Sequence, residues 1–305
     1  MPRTYFGPHG ENNSTYAFQT HANLGRWPLG HILELPDHRQ YRFVLNDGTV
    51  EVAGNLYQSV APVTGHINIT ADVVRAIGAT AVSATLNGTA PGADIYSEGI
   101  VHTNNDTGES YAYRIKRAMT AGAAHASAGS AAVLTVNLEA GETVQVALDT
   151  TSEVTLTRNR FHQVLITAAP PTAGLAGVSP GVAAADRFYW SQVKGYAAVL
   201  ASGTLLAGLP VMAGITTAGS VESTKRRLQA GGSTALVVTT GLAYAYLVDA
   251  GGATTGMAIL TTTALTTIGV DVTGGIAYNA PNVGMCVKAN STTQYALIDL
   301  DIQGW

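Results

Sequence analysis

Two segments constrain the fold of this chain most. Residues 190–212 read W-S-Q-V-K-G-Y-A-A-V-L-A-S-G-T-L-L-A-G-L-P-V-M, and residues 283–302 read V-G-M-C-V-K-A-N-S-T-T-Q-Y-A-L-I-D-L-D-I. Both are short alternating runs, broken by Ser-Gly, Ala-Gly or Asn-Ser. Alternation of period two is the signature of a half-buried strand, and the breaks supply turn residues. The pattern predicts tight β-hairpins of a small barrel or sandwich. The turns carry no catalytic equipment, which points to a protein that works through its surface.

The same punctuation recurs along the chain and divides it. Residues 1–54 hold four of the eight histidines and many aromatics, with Pro8, Pro28 and Pro36 breaking any long element. They read as an extended N-terminal arm ending in a hairpin across Asn46-Asp47-Gly48. An arm with aromatics but few aliphatics needs another surface to cover it, so residues 1 to about 45 are expected to contact a neighbouring chain. Residues 55–169 read as a first β-domain. Strands are predicted over 81–86, 96–103, 111–117, 131–138, 143–148, 154–157 and 163–167, with a hairpin across residues 139–142. Turn signals every 8 to 12 residues are what an all-β sandwich or barrel shows. The one helix candidate is 71–77, with Thr70 as N-cap and Gly78 as stop. Residues 170–181, with Pro170, Pro171 and Pro180, read as an exposed linker. Residues 182–305 read as a second β-domain carrying a Thr/Gly/Ala-rich insertion over 213–280, with short strands at 236–239, 243–248, 257–260 and 268–272. The whole is all-β, two small sandwich or barrel lobes with an extended arm, and under a tenth helical.

Composition narrows the function classes. The chain has 305 residues, 46% of them hydrophobic and only 12% charged. Ala, Thr and Gly together supply more than a third of it, which suits closely packed β-structure. From Gln229 to the end there are five charged residues, so this region is expected to be buried against a neighbour. A net charge of −4 argues against nucleic-acid binding, which wants a basic patch. The basic run Lys225-Arg226-Arg227 reads as a solvated loop. Cys286 is the single cysteine, so no internal disulfide is possible. No apolar run follows Met1, and no stretch of 18 apolar residues exists, so neither a signal peptide nor a membrane span is expected.

The search for chemistry turns up one catalytic pattern, Gly177-Val178-Ser179-Pro180-Gly181. A nucleophile elbow uses the N–H of the residue after the serine in its oxyanion hole, and proline has none. The carboxylate pairs Asp299 with Asp301, Glu139 with Glu142, and Asp94 with Glu98 read as solvated edge or turn charges. Metal-ligand spacings and phosphate loops are missing. The expectation is a protein that is not an enzyme, with no cofactor and no metal site. Trp27, Trp190 and Trp305 are too widely spaced to mark a sugar-stacking site, and read as packing residues.

Several blocks resemble virion proteins of tailed bacteriophages. A-V-L-A-S-G-T-L-L-A-G (198–208), preceded by F-Y-W-S-Q-V-K-G-Y (188–196), is one. The closing segment 283–302 is similar to their final strand pair. I-Y-S-E-G-I-V (95–101), G-E-S-Y-A-Y-R-I-K (108–116), T-S-E-V-T-L-T-R-N-R-F-H-Q-V (151–164) and the opening Y-F-G-P-H-G-E-N-N-S-T-Y-A-F-Q-T-H (5–21), like that of marine-phage proteins, add to it. The family resembled is that of capsid decoration, or cement, proteins. The resemblance implies a homotrimer on the outside of an icosahedral head, bound to the major capsid protein and assembled in the host cytoplasm. Tyr5, Phe6, Tyr16, Phe18, Trp27 and Trp305 are the interface candidates. The length, the arm and the 213–280 insertion exceed a compact decoration protein. A tail or fibre component, or a carbohydrate-binding adhesin, are the alternatives.

Overall fold

The computed structural model describes residues 17–22, 27–88, 91–92, 94–117, 125–128, 133–224, 244–248, 254–259, 280–290 and 294–302. Two compact units emerge. One comprises Met1–Ser223 with Ala280–Trp305, the other Thr224–Asn279. The protein is nearly all β, with 43% strand and 2% helix, so the all-β expectation and its helical ceiling both hold.

Three groups of strands build the first unit. The opening group is β1 (Ile32–Glu34), β2 (Gln40–Leu45) and β3 (Leu56–Gln58). An insertion follows with β4 (Ile69–Thr70), β5 (Ala81–Thr85), β6 (Ile100–Asn105), β7 (Ala112–Arg114), β8 (His125–Ala128), β9 (Val133–Asn137) and β10 (Glu153–Thr157). The closing group is β11 (Leu165–Ile166), β12 (Leu175–Val178), β13 (Phe188–Leu200), β14 (Pro210–Ala213) and β15 (Val221–Ser223). The second unit contributes a hairpin of β16 (Tyr244–Val248) and β17 (Thr254–Ile259). The chain then returns to the first unit with β18 (Asn282–Lys288) and β19 (Tyr295–Asp301).

The opening and closing groups form one ten-stranded antiparallel sheet, curled into a half-barrel, in the order β11-β3-β12-β13-β19-β18-β14-β15, with β2 and β1 branching from β13. The 13-residue β13 is its spine. Phe188 to Lys194 pair with Leu45 to Gln40 of β2, and Lys194 to Leu200 pair with Asp301 to Tyr295 of β19. Its first half is buried on both faces, while its second half alternates. Ala197 and Val199 join Ala296, Ile298, Leu300, Val283 and Cys286 in one core. Tyr196, Asp299 and Met285 face out from the opposite side of the same registers.

The insertion is a small sandwich of its own. A four-stranded sheet β4-β10-β6-β7 and a three-stranded sheet β5-β9-β8 share a core of Ile69, Val101, Leu156, Val82, Leu134 and Val136.

Several sequence-based expectations are corrected. The described part of residues 1–54 is not a free arm. The alternation in Q-Y-R-F-V-L puts Tyr41 and Phe43 into an aromatic core with Trp190, so the surface that covers these aromatics belongs to the same chain. The hairpin lies at the Leu35–Arg39 turn between β1 and β2. It does not lie at Asn46–Gly48, where the buried Asn46 amide donates to the carbonyls of Thr49 and Ala184 and its Oδ1 accepts from Arg187 N–H. Those bonds steer the following segment toward Ala183, which pairs with Glu51.

The linker 170–181 contains β12, buried at all four positions, because Leu-Ala-Gly-Val fits the gap between β3 and β13. Residues 71–77 form no helix: Ala71 bridges Ala84 and Arg75 bridges Leu148, backbone pairings that outcompete a short helix. Gly78 does turn the chain, at φ +89°. Residues 143–148 do not pair with β9, since Val144 N–H goes to Ala79 O. The segment 190–212 is no hairpin either, for β19 and β18 lie between β13 and β14. The closing pair of β18 with β19 forms as expected. Within 213–280, the strand expected at 243–248 coincides with β16, and 257–260 overlaps β17. Lys225-Arg226-Arg227, 236–239 and 268–272 lie outside the described residues.

Candidate binding groove

A groove on the outer face is organised by one irregularity in β13. The register with β2 shifts between Gln192 and Lys194, a β-bulge, and Gly195 follows with φ +81°. A bulge re-aims the side chains beyond it. Glycine is required here twice over, by the positive φ and because a Cβ would stand 2.9 Å from Arg39 Cγ. The Gln192 side chain, itself buried, stabilises the distortion. Its Nε2 donates to the carbonyls of Lys194, Gly195 and Tyr196 at 3.1, 3.3 and 2.9 Å. Carbonyls that the bulge removes from the ladder thus regain a partner.

The groove widens on both sides of Arg39 and Tyr196. One depression of about 600 Å³ has Asp37, Lys194 and Asp299 along it; another of about 360 Å³ runs past Phe18, Ser179 and Tyr295. Tyr196 is 58% exposed and Tyr295 46% exposed. Tyr295 rests on the backbone of Gly54, where any Cβ would collide with its ring. Gly54 also has φ +77° and donates its N–H to Ser179 O. Arg39 is clamped to Asp37, Nε to Oδ2 at 2.6 Å, with the Arg39 N–H on Oδ1 at 3.2 Å. Partial burial opposes ionisation of Asp37, but the bonds and charge of Arg39 prevail and hold its carboxyl below the usual range.

Of the interface candidates, Phe18 sits on this groove, half-exposed. Trp27 stacks on His31 at 4.8 Å and packs edge-on to the buried Trp190, so it is a packing residue. Tyr5, Phe6, Tyr16 and Trp305 lie outside the described residues. Ser179 is buried, and its Oγ donates to Gly181 O at 2.6 Å. Asp299 and Asp301 share the outer face of β19, as two-residue spacing requires. Glu139 and Glu142 accept backbone N–H bonds from Arg117 and Arg114.

No family model, curated protein or solved structure matches the chain. What the protein can do is therefore read from these residues.

Glu98 corrects its reading as a solvated turn charge. It is buried, pairs with Arg117 Nε at 2.8 Å and accepts the Leu29 N–H at 2.7 Å. Its partner Leu29 lies 69 residues away in the sequence, so no local pattern marks the site. A second knot lies in the insertion, where buried His66 bonds the Tyr96 hydroxyl. Nearby His162 is driven down to about 4 by burial and by the charge of Arg158. Among the described residues, no three His, Cys, Asp or Glu side chains form a metal-holding group. The two groove tyrosines converge only where β13 pairs with β19, and no local sequence pattern marks that pairing.

Proposed function

We propose that this chain is a structural protein of a tailed-phage virion, a decoration or cement protein on the outside of the head that binds the major capsid protein. The observation that carries the reading is an apolar patch on a rigid frame. Leu206, Leu209, Met285 and Val287 are all exposed by about half around the turn that leads into β14 and along β18. Gly208 N–H bonds Cys286 O and Cys286 N–H bonds Leu209 O, so the turn and the strand hold one another in place. Large apolar side chains clustered at a fixed place mark an interaction surface. The sequence resemblance names the partner. Many copies, each burying such a patch across a capsid joint, would stabilise the shell by binding it preferentially. The charge-poor stretch after Gln229 supplies the surface for a homotrimer, which would assemble with heads in the host cytoplasm.

Immuno-labelled negative-stain imaging of particles tests the reading. Label over the head at fixed positions supports it, rings along one axis make the chain a tail component, and unlabelled particles reject it. The variant Leu209→Lys with Met285→Lys should fold normally and lose head occupancy.

A further inference from the structure

We propose that the groove over Gly54 and Gly195 is an oligosaccharide-binding site for a neutral glycan, with Tyr196 and Tyr295 as its stacking platforms. This goes beyond the capsid reading. Tyr196 is in register with Asp299 and Tyr295 with Leu200, so the two rings stand on one face, four residues apart along the strands. That separation is about 13 Å at the rise of a strand, the span of a short oligosaccharide rather than of one sugar ring. A tyrosine ring offers an apolar face and a polar tip, which suits the C–H face and the hydroxyl rim of a pyranose. The platforms are pre-set: Tyr295 lies against Gly54, and the Gln192 amide holds the bulge beneath Tyr196. A surface ordered before binding loses less freedom when the ligand arrives.

Polar groups line the depression on the side of Tyr196 away from Tyr295, where a chain stacked on both rings would continue. Asp37 and Arg39 are locked in an ion pair, which fixes the donors and acceptors they present, while Lys194 and Asp299 add one charge of each sign. The formal charges of these four cancel. A balanced set of hydrogen-bonding groups recognises hydroxyls, whereas a nucleic acid demands a basic groove. An added peptide strand finds little backbone here. The carbonyls of Lys194, Gly195 and Tyr196 are taken by Gln192, and Leu200 N–H bonds Gly54 O.

The test is calorimetric titration of the purified full chain with neutral tetrasaccharides: cello-, malto- and chito-oligosaccharides, with saturation-transfer NMR to map the contact. At least one should bind with Kd in the millimolar range or tighter. Tyr196→Ala should weaken it about tenfold, the loss of one good aromatic contact. Tyr196 is mostly exposed, so this variant should keep its fold, whereas Tyr295→Ala opens the Gly54 strap and serves only as a second measurement. Leu206→Lys with Leu209→Lys, on the turn before β14, should bind sugar normally even if it no longer binds heads, and Tyr196→Ala should bind heads normally. No binding by any of the three glycans at 10-fold molar excess and millimolar concentration, or binding indifferent to Tyr196→Ala, overturns the proposal. So does a Tyr196-dependent peptide ligand that no glycan displaces.

Discussion

The strap that follows β2 and the insertion each bury one glutamate, and they do so in opposite ways. Glu98, in the insertion, is shut from solvent yet faces Arg117 at 2.8 Å and Arg114 at 3.8 Å, and takes the Leu29 N–H. Arg117 in turn donates to the Trp27 carbonyl at 2.5 Å. The pair therefore ties the sandwich to residues 27–29. Burial still raises the Glu98 carboxyl above its ordinary value, with the Arg117 charge offsetting part of the effect. Glu51, in the strap over residues 46–55, has no cation among the described residues. Both its oxygens are buried, with the Tyr189 hydroxyl beside them. Burial pushes it up to about 8; the Tyr189 hydroxyl beside it opposes the shift, and the Asp47 charge adds to it. One region compensates a buried charge, and the other removes it by keeping the proton. A lone charge in a low-dielectric site neutralises before it unfolds the protein.

The largest effect should come from breaking the compensated site. Arg117→Ala leaves Glu98 buried beside only the more distant Arg114, and should cost about 3–5 kcal/mol in urea denaturation. Replacing both partners, Glu98→Met with Arg117→Leu, should recover most of the loss. If the double variant is no better than the single one, the pair matters for its links to Trp27 and Leu29 rather than for its charge.

The next effect separates the two glutamates at alkaline pH, although both carboxyls are raised. A folded pKa of about 8 lies above the ordinary value of 4.5, so the unfolded chain ionises first as pH rises. Stability from neutral Glu51 is full below about pH 4.5 and drains away up to about pH 8. Glu51→Gln should match the parent near pH 4.5 and exceed it at pH 8. Glu98→Gln should be weaker than the parent at pH 8, because it discards the ion pair. Melting temperatures across pH 4.5–8.5 decide this, and a flat difference for Glu51→Gln would mean that the strap carboxyl titrates normally.

The smallest effect sharpens the Glu51 case. Tyr189 is buried in the core, with its hydroxyl beside the Glu51 carboxyl. Tyr189→Phe removes one buried polar group and should change stability by no more than about 1 kcal/mol. It should also move the Glu51-dependent loss to higher pH, since the hydroxyl holds that pKa down. A shift to lower pH would count against the contact.

Legibility in the sequence differed between these places for a physical reason. Turn residues and alternation are local, so the closing strands could be read: Ala296, Ile298 and Leu300 alternate with Tyr295, Asp299 and Asp301, and the structure buries the first set and exposes the second. In the insertion β5, β6, β7, β9 and β10 were legible in the same way to within a few residues, whereas β4 and β8 carried no such signal and 143–148 forms no strand. The groove was half-legible. Phe18 was singled out, but Tyr196 and Tyr295 were not, because their convergence depends on β13 meeting β19 across about a hundred residues of chain. Glu98 was misread for the same reason, since Leu29 and Arg117 approach it only in the folded state.

By itself the sequence determined the strand class, the inward and outward faces of the alternating strands, the turns at glycines such as Gly78, and the lack of a disulfide. Only the tertiary structure decided partners. Alternation says which side of a strand is apolar but not which neighbour covers it, and the backbone bonds of one antiparallel pair resemble those of any other. Shape and burial broke that degeneracy. Tyr41, Phe43 and Trp190 fit together and drew the presumed arm into the sheet, and Leu175 to Val178 filled the gap between β3 and β13 in place of a linker. The same long-range packing left Glu51 without a cation and gave Glu98 two, a difference that no feature of their neighbouring residues contains.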